Sequence, residues 1–308
     1  MIYKRGYLEI SFGWLFALIV GAFILFLAIF ASTKIIKTGE IEIDAKTAKQ
    51  IGVLTNPLET GFESAKSVSM TLPVEARIYA RCREDSKFGK QLVQVSQKSF
   101  GKWTETDVDV SFANKYIFGE NYAEGKKFFI FSKPFEFPFK VADLIYITSS
   151  NKKYCFFEAP EEIADEISGI SQENLAVENC SENSVKICFQ RSDCEINVYK
   201  TQGYVEKNSN KLYFEGDALM YAAIFSEKTN YECEVKRLMQ RVNSLAKIYK
   251  DKGDFISRAG CSSSLNNELE MLISATENFS GAENLALIIA DVQDLGEKNE
   301  ENSQCKLW

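Results

Sequence analysis

An uninterrupted apolar stretch near the start of the chain constrains where the rest of the protein resides. No charged residue occurs between Ile10 and Ala31, a run of 22 residues. As an α-helix this run is about 33 Å long, which matches the roughly 30 Å hydrocarbon core of a bilayer. The apolar region of a secretory signal is shorter and precedes a cleavage site with small residues. The stretch therefore predicts a retained transmembrane helix, with a buried core helix as the alternative.

The composition excludes several classes of function. The 308 residues include no histidine, which removes the usual general base near neutral pH and the usual nitrogen ligand of metals. Ser-His-Asp and Cys-His catalysis are thereby excluded within this chain, as are zinc sites that contain histidine. The net charge is −7, and acidic residues outnumber basic ones beyond Lys37. Nucleic-acid binding depends on Lys and Arg that neutralise phosphates, so we expect no nucleic-acid partner. We also expect no cofactor.

All eight cysteines lie beyond residue 81, on one side of the apolar stretch. An even number of cysteines without Cys-x-x-Cys spacing predicts disulfides in an oxidising compartment, with reduced core thiols as the alternative.

The basic residues Lys4 and Arg5 precede the stretch and Lys34 and Lys37 follow it, so the positive-inside rule is nearly balanced. The cysteines decide the orientation. We expect a single-pass protein of the cell membrane, with its N-terminus in the cytoplasm and its C-terminal ectodomain outside.

Apolar residues recur every three or four positions in three segments of the last third of the chain. They predict helices near residues 231–258, 264–279 and 282–299. If these helices run up, down and up, Cys261 and Cys305 finish near the same end, which predicts a disulfide between them. A second candidate pair is Cys180 with Cys194, which flank a predicted strand.

Short β-like runs between the anchor and these helices complete the expected architecture. The Asn208-Ser209-Asn210 turn predicts a hairpin between the last two of these runs. The fold class expected is α+β, with an N-terminal transmembrane helix, a mixed or antiparallel β-rich head and a C-terminal helical bundle. The predicted regions are a cytoplasmic tip with the transmembrane helix over 1–37, an amphipathic stalk helix over 38–70, an α+β ectodomain over 71–215 and a helical region over 216–308. Within the helical stalk, Pro57 is expected to cause a kink.

An aromatic segment in the middle of the chain has two interpretations. Phe135, Phe137 and Phe139 alternate with polar residues or proline, so in an extended segment they share one face. They either line the core or form an exposed surface for an apolar or peptide partner or for the bilayer.

Few motifs in the sequence indicate catalysis or metal binding. Ser149 and Lys152 have S-x-x-K spacing, but the motif follows a predicted strand instead of opening a helix. The acidic residues over 158–166 fit a solvated helix start better than a calcium site, since no EF-hand loop surrounds them. Asn179 and Asn278 lie in glycosylation sequons. We therefore identify no catalytic residue and no metal ligand.

The first residues of the chain resemble those of a known family. Lys4-Arg5-Gly6, followed by Glu9, Ser11 and the apolar stretch, is similar to the N-termini of archaeal type IV pilin-like proteins with a class III signal peptide. The resemblance implies cleavage between Gly6 and Tyr7 and an assembly role for the apolar helix. The layout of the remainder resembles uncharacterised single-span archaeal membrane proteins.

Small residues within the apolar stretch predict how the helix associates. Gly13, Ala17 and Gly21 are spaced four apart, so they share a helix face that allows close approach of another helix. The expected partners are the lipid bilayer and, through this face, further copies of the chain or other proteins. The function expected is that of a membrane-anchored extracytoplasmic structural, adhesion or assembly protein. The alternatives are a signal-anchored binding or receptor ectodomain that does not polymerise, and an anchored hydrolase that uses carboxylates.

Overall fold

One helix connects the apolar stretch with the folded head in the computed structural model. Helix α1 runs without interruption over 43 residues, Phe12–Leu54. Every side chain between Phe12 and Ile35 is exposed, and this segment is long and apolar enough to cross a membrane. Ala48 and Ile51, further along the same helix, are fully buried against the head. The structure describes residues 12–54, 66–84, 88–99, 101–104, 108–261, 265–302 and 305–308, so Gly6, Tyr7 and Pro57 lie outside the described residues.

The described part of the head contains five further helices. They are α2 (Glu161–Ile170), α3 (Gly216–Phe225), α4 (Lys228–Arg258), α5 (Asn266–Glu277) and α6 (Leu285–Glu301), with a short 3₁₀ turn at Ala282–Asn284. Consecutive helices of the C-terminal region pack on one another, and the Asn243 side-chain amide on α4 donates to the Ile273 carbonyl on α5. The expected fold class, α+β with an N-terminal apolar helix and C-terminal helices, is confirmed.

The strands form two sheets. The first contains β1 (Lys66–Arg83), β2 (Lys90–Ser99), β3 (Lys102–Trp103), β4 (Val110–Phe112), β5 (Tyr116–Phe118), β6 (Ala123–Glu136) and β7 (Lys140–Ser149). The second contains β8 (Tyr154–Phe157), β9 (Leu175–Val177), β10 (Val185–Phe189), β11 (Ile196–Tyr199), β12 (Tyr204–Lys207) and β13 (Asn210–Tyr213). The stalk helix predicted over 38–70 is wrong at its end, because residues 66–70 belong to β1 and pair with β6.

The first sheet curls so that its two ends approach each other. Its strand order is β3-β2-β1-β6-β7-β5, with β4 paired to β2. The Gln91 side chain on β2 nevertheless accepts a hydrogen bond from the Ile117 amide on β5, at 2.7 Å. The curled sheet encloses an aliphatic core that includes Ile78, Val93 and Ile145, and α1 contributes Ala48 and Ile51 to the same core.

A second, larger core lies between the first sheet, the second sheet and the helices. The second sheet is mixed, in the order β13-β12-β11-β10-β8-β9, and its first four strands along the chain, β8 to β11, are parallel. The expected hairpin between β12 and β13 is present. Its two loop residues, Asn208 and Ser209, both have positive φ, as a two-residue type I′ turn requires.

Four disulfides cross-link the head. They join Cys82 to Cys233, Cys155 to Cys180, Cys188 to Cys194 and Cys261 to Cys305. The predicted Cys261–Cys305 bridge is therefore confirmed, with the two Cα atoms 5.6 Å apart. The predicted Cys180–Cys194 bridge is wrong, because β8 lies directly beside β10 and brings Cys155 to Cys180.

Candidate functional site

Two adjoining clefts form a groove at the end of the head where β1 ends and α4 begins. The clefts have volumes of about 470 and 800 Å³ and share Glu120 and Asn121, in the connection between β5 and β6. The end of β7 lines the first cleft, and the end of β1 together with the start of α4 lines the second. The Cys82–Cys233 disulfide joins β1 to α4 at this position. We call this feature the Glu120 groove.

The carboxylate of Glu120 has two neighbours inside the groove. Lys152 Nζ forms an ion pair with it, and the Tyr154 hydroxyl lies next to it. Burial raises the pKa of Tyr154 well above its ordinary value, and the neighbouring Glu120 charge adds to that effect. Tyr154 is therefore a neutral hydrogen-bond donor at physiological pH. The ion pair with Lys152 therefore fixes the position of the Glu120 carboxylate in the groove.

The S-x-x-K motif lines this groove but does not assemble a nucleophile with a base. The Ser149 hydroxyl donates to the Glu124 carbonyl at 2.6 Å and accepts from the Asn151 amide at 3.1 Å. Lys152, meanwhile, is paired with Glu120. A serine nucleophile needs its base within hydrogen-bond reach, and here each member of the motif is bound elsewhere.

A buried lysine lies among the charges of the same region. Lys207, at the end of β12, is 9% exposed, and its Nζ donates to the Ile224 carbonyl at 2.8 Å. Burial lowers the pKa of Lys207 to about 8, while the charges of Glu227 and Glu120 oppose that effect. Glu120 and Glu227 both line the first cleft, so Lys207 contributes positive charge beneath a groove with acidic walls.

A row of cationic and aromatic side chains crosses the outer face of β1. The Arg77 guanidinium lies 4.0 Å from the centroid of the Trp103 ring and 4.7 Å from that of Tyr122. The Tyr122 and Tyr79 rings are 5.5 Å apart, and Arg81 lies 5.0 Å from the Tyr79 centroid. We call this row the aromatic–cation ladder. It consists of Trp103, Arg77, Tyr122, Tyr79 and Arg81.

The ladder leads into the groove, because Tyr79, Arg81 and Tyr122 also line the clefts. Sequence reasoning missed this surface. The signal was present, since Arg77, Tyr79 and Arg81 alternate with the buried Ala76, Ile78 and Ala80 as expected for a strand with one solvated face. Chemically, the groove offers ring faces for stacking, cations for anionic groups, and carboxylate and amide oxygens as hydrogen-bond acceptors.

The aromatic triplet identified in the sequence lies elsewhere and is not a surface. Phe135, Phe137 and Phe139 are at most 2% exposed. The Phe139 ring packs on Tyr249 at 4.7 Å and on Trp308 at 5.4 Å. The interpretation as core lining is confirmed, and the proposed partner surface is wrong because all three rings are buried in the larger core.

The acidic run over 158–166 does not converge on a common point. Glu158 pairs with Arg191, Glu162 with Lys200, and Glu166 with Lys133. Among the described residues, one group has the proximity of metal ligands: Cys188, Asp193 and Cys194. The two sulfurs of that group form a disulfide, so they are not available as thiolate ligands. Neither position supports a metal centre.

Comparisons with protein-family models, with curated proteins and with solved structures found no match.

Proposed function

We propose that this chain is a membrane-anchored extracytoplasmic subunit that acts in surface assembly or adhesion, in the manner of a pilin-like protein. The observation that carries the proposal is the continuity of α1. The helix passes from the exposed apolar segment, Phe12–Ile35, into the docked segment around Ala48 and Ile51 without a break. Anchor and head are thus joined by helical backbone rather than by a flexible tether.

Such a junction supports assembly better than simple tethering. A receptor ectodomain needs only to remain near the membrane, and a flexible linker serves that purpose. A helix that is rigid from the membrane into the head fixes how the head is presented, which an ordered array of subunits requires. The docked end of α1 is closely fitted, since a Cβ atom added at Gly52 would lie 2.3 Å from the Phe112 ring.

The disulfides support the proposed location. Four bridges are expected in an oxidising compartment and are rare in the cytosol. Protease added to intact cells is expected to digest the head and to leave a tag at the N-terminus protected. Protection of the head in intact cells would contradict this orientation.

Association of the apolar helices gives the direct test of assembly. Ala17 belongs to the predicted packing face with Gly13 and Gly21, and no described atom lies within 4 Å of a Cβ added at either glycine. Ala17→Leu should block close approach of a second helix and so reduce cross-linked oligomers of the full-length protein in its native membrane. Ala22→Leu is the matched control, because Ala22 lies five residues after Ala17 and therefore about 140° away from it around the helix. Equal oligomer yields for both variants would argue against assembly through this face.

Processing of the N-terminus tests the pilin-like part of the proposal separately. If a prepilin peptidase acts on the chain, protein from the native membrane has Tyr7 as its first residue. Intact mass spectrometry measures this directly. A retained Met1 or Ile2 would identify the chain as a signal-anchored ectodomain instead.

The Glu120 groove favours a second candidate, a binding ectodomain. Exposed rings beside paired charges resemble ligand-binding surfaces more than a packing face. Binding of the detergent-solubilised full chain to glycan and peptide arrays is expected to fall in Tyr122→Ala. Tyr204→Ala, which removes a partly exposed ring from the second sheet, should leave it unchanged. The hydrolase alternative gains no support, because Glu120 and Glu124 each have a cationic partner and no carboxylate pair stands out among the described groove residues.

A further inference from the structure

The hairpin formed by β2 and β3 lies on the side of the head that faces the apolar end of α1. Lys98 pairs with Trp103, and Ser99 pairs with Lys102. The Thr104 hydroxyl, directly after β3, donates to the Asp44 carboxylate on α1 at 3.4 Å. Ile43 and Asp44 share a small cavity of about 140 Å³ with residues of this hairpin. The hairpin thus packs beside residues 43 and 44 of α1.

The direction of β2 determines which way the hairpin points. At the start of β2, Gln91 pairs with Phe112, and the Phe112 ring lies against Gly52 near the end of α1. At the other end of β2, Gln97 and Lys98 lie by Ile43 and Asp44. The strand therefore runs opposite to α1, and its last residues point toward the apolar segment.

The distance to the apolar segment is short. Ile35 ends that segment and precedes Ile43 by eight residues, which corresponds to about 12 Å of helix. The turn at Gly101 continues beyond Lys98 in the same direction, at about 3.3 Å per strand residue. With the apolar segment in a bilayer, the turn is within about one Debye length of the lipid headgroups at physiological ionic strength.

The side chains of the hairpin suit that position. Lys98 and Lys102 are exposed. Lys98 Nζ forms an ion pair with Glu75 at 2.7 Å and lies 5.7 Å from the centroid of the partly exposed Trp103 ring. Residues 66–104 have an excess of basic over acidic side chains, whereas the whole chain carries a net charge of −7. Basic residues are attracted to anionic lipids, and tryptophan is enriched at the membrane–water interface.

We propose that the β2–β3 hairpin is a second membrane contact, in which Lys102 and Trp103, beside the Lys98–Glu75 ion pair, bind the anionic headgroups of the leaflet from which α1 emerges. This contact rests on the anchoring of α1 that the proposed function uses. It would fix the tilt of the head on the membrane, because the head is then held at two points rather than at one.

Fluorescence quenching by brominated lipids tests the contact. The full-length protein is reconstituted into vesicles of brominated phosphatidylcholine, with or without about one third phosphatidylglycerol, a fraction chosen to give a strongly anionic surface. The difference between the wild type and Trp103→Phe isolates the signal of Trp103. We expect this signal to be quenched in anionic vesicles, and less so in neutral vesicles or at high salt.

Charge variants give the matched comparison. Lys102→Gln should lower the equilibrium constant for contact between the hairpin and the anionic headgroups about five-fold, because the attraction of one lysine to the anionic surface is lost. Lys90→Gln is the control, since Lys90 is also exposed but lies at the opposite end of β2. Quenching of Trp103 that is absent from anionic vesicles, equal in both lipids, or reduced equally by both lysine variants would overturn the proposal.

Trp14 separates failure of this contact from failure of the anchor. It lies in the apolar segment and is quenched in all variants if α1 is inserted. Quenched Trp14 with unquenched Trp103 overturns the hairpin contact alone. Unquenched Trp14 overturns the anchoring and, with it, the hairpin contact.

Discussion

Arg237 and Glu234 lie one turn apart on α4 and form an ion pair, 2.6 Å between Nη1 and Oε2, in which neither side chain is exposed. The guanidinium also donates to the carbonyls of Phe88, Lys115 and Ala113. Arg237 thereby holds two connecting segments of the first sheet against α4. The chain closes tightly around it, since a Cβ at Gly89 would lie 2.9 Å from Arg237 Cδ.

Replacing Arg237 is expected to be among the most damaging single changes to the head. Arg237→Met leaves the Glu234 carboxylate and three carbonyls without their buried partner, which should cost about 3–5 kcal/mol in the free energy of unfolding. Denaturant unfolding of the full chain in detergent measures this loss. Arg191→Met is the control, because Arg191 is an exposed member of surface ion pairs, so its loss should cost no more than about 1 kcal/mol. Similar costs for both variants would contradict this role of Arg237.

We expect the substitution of glycine by alanine to have opposite effects on stability at two positions of α1. Gly39 has no atom within 4 Å of a potential Cβ, so Gly39→Ala should stabilise the helix by about 1 kcal/mol. At Gly52 the same Cβ would meet the Phe112 ring at 2.3 Å, so Gly52→Ala should destabilise the docked end of α1 by about 1–3 kcal/mol. Hydrogen exchange of amides over 44–54 measures the docking. Stabilisation by both substitutions would show that the contact with Phe112 does not restrain α1.

The features that the sequence predicted well depend on local pattern. The apolar anchor, the C-terminal helices and the hairpin at Asn208 follow from a run length, a period of three to four and a turn sequence. The Cys261–Cys305 bridge followed from the order of helices alone. Helix α3 was missed as an element because Ala218–Phe225 is buried on every side and has no polar face that would reveal its period.

The features that the sequence did not predict depend on which strands become neighbours. The Cys155–Cys180 bridge requires that β8 pair in parallel with both β9 and β10. The Glu120 groove brings together β1, β7 and α4, which are separated by tens of residues along the chain. No local pattern encodes such proximity. The aromatic–cation ladder was similarly hidden, because Arg77 meets Trp103 and Tyr122 only after β1, β2 and β6 have paired.

The disulfides should differ in their contribution to stability according to the chain they enclose. Cys82 and Cys233 are 151 residues apart, whereas Cys188 and Cys194 are six apart. In the loop-entropy description, removing the first bridge with paired Cys→Ala changes should cost about 5 kcal/mol, and removing the second about 2 kcal/mol. Denaturant midpoints of the two double variants provide the comparison. An equal loss for both pairs would indicate that loop closure does not set their contributions.

The buried Lys207 should make the free energy of unfolding rise with pH in the alkaline range. Burial lowers its pKa from 10.5 to about 8 in the folded head, against the opposing charges of Glu227 and Glu120 and with the help of the nearby Lys152 charge. Between about pH 8 and 10.5 the unfolded chain therefore retains a proton that the folded protein has lost, so this group makes stability rise with pH. Lys207→Met should remove that rise, as measured by the free energy of unfolding across this range. Lys211→Met, on the exposed side of the same hairpin, should preserve it. Parallel pH profiles for the wild type and Lys207→Met would show that Lys207 stays protonated in the fold, with its ammonium group held by the Ile224 carbonyl and the carboxylates of the groove.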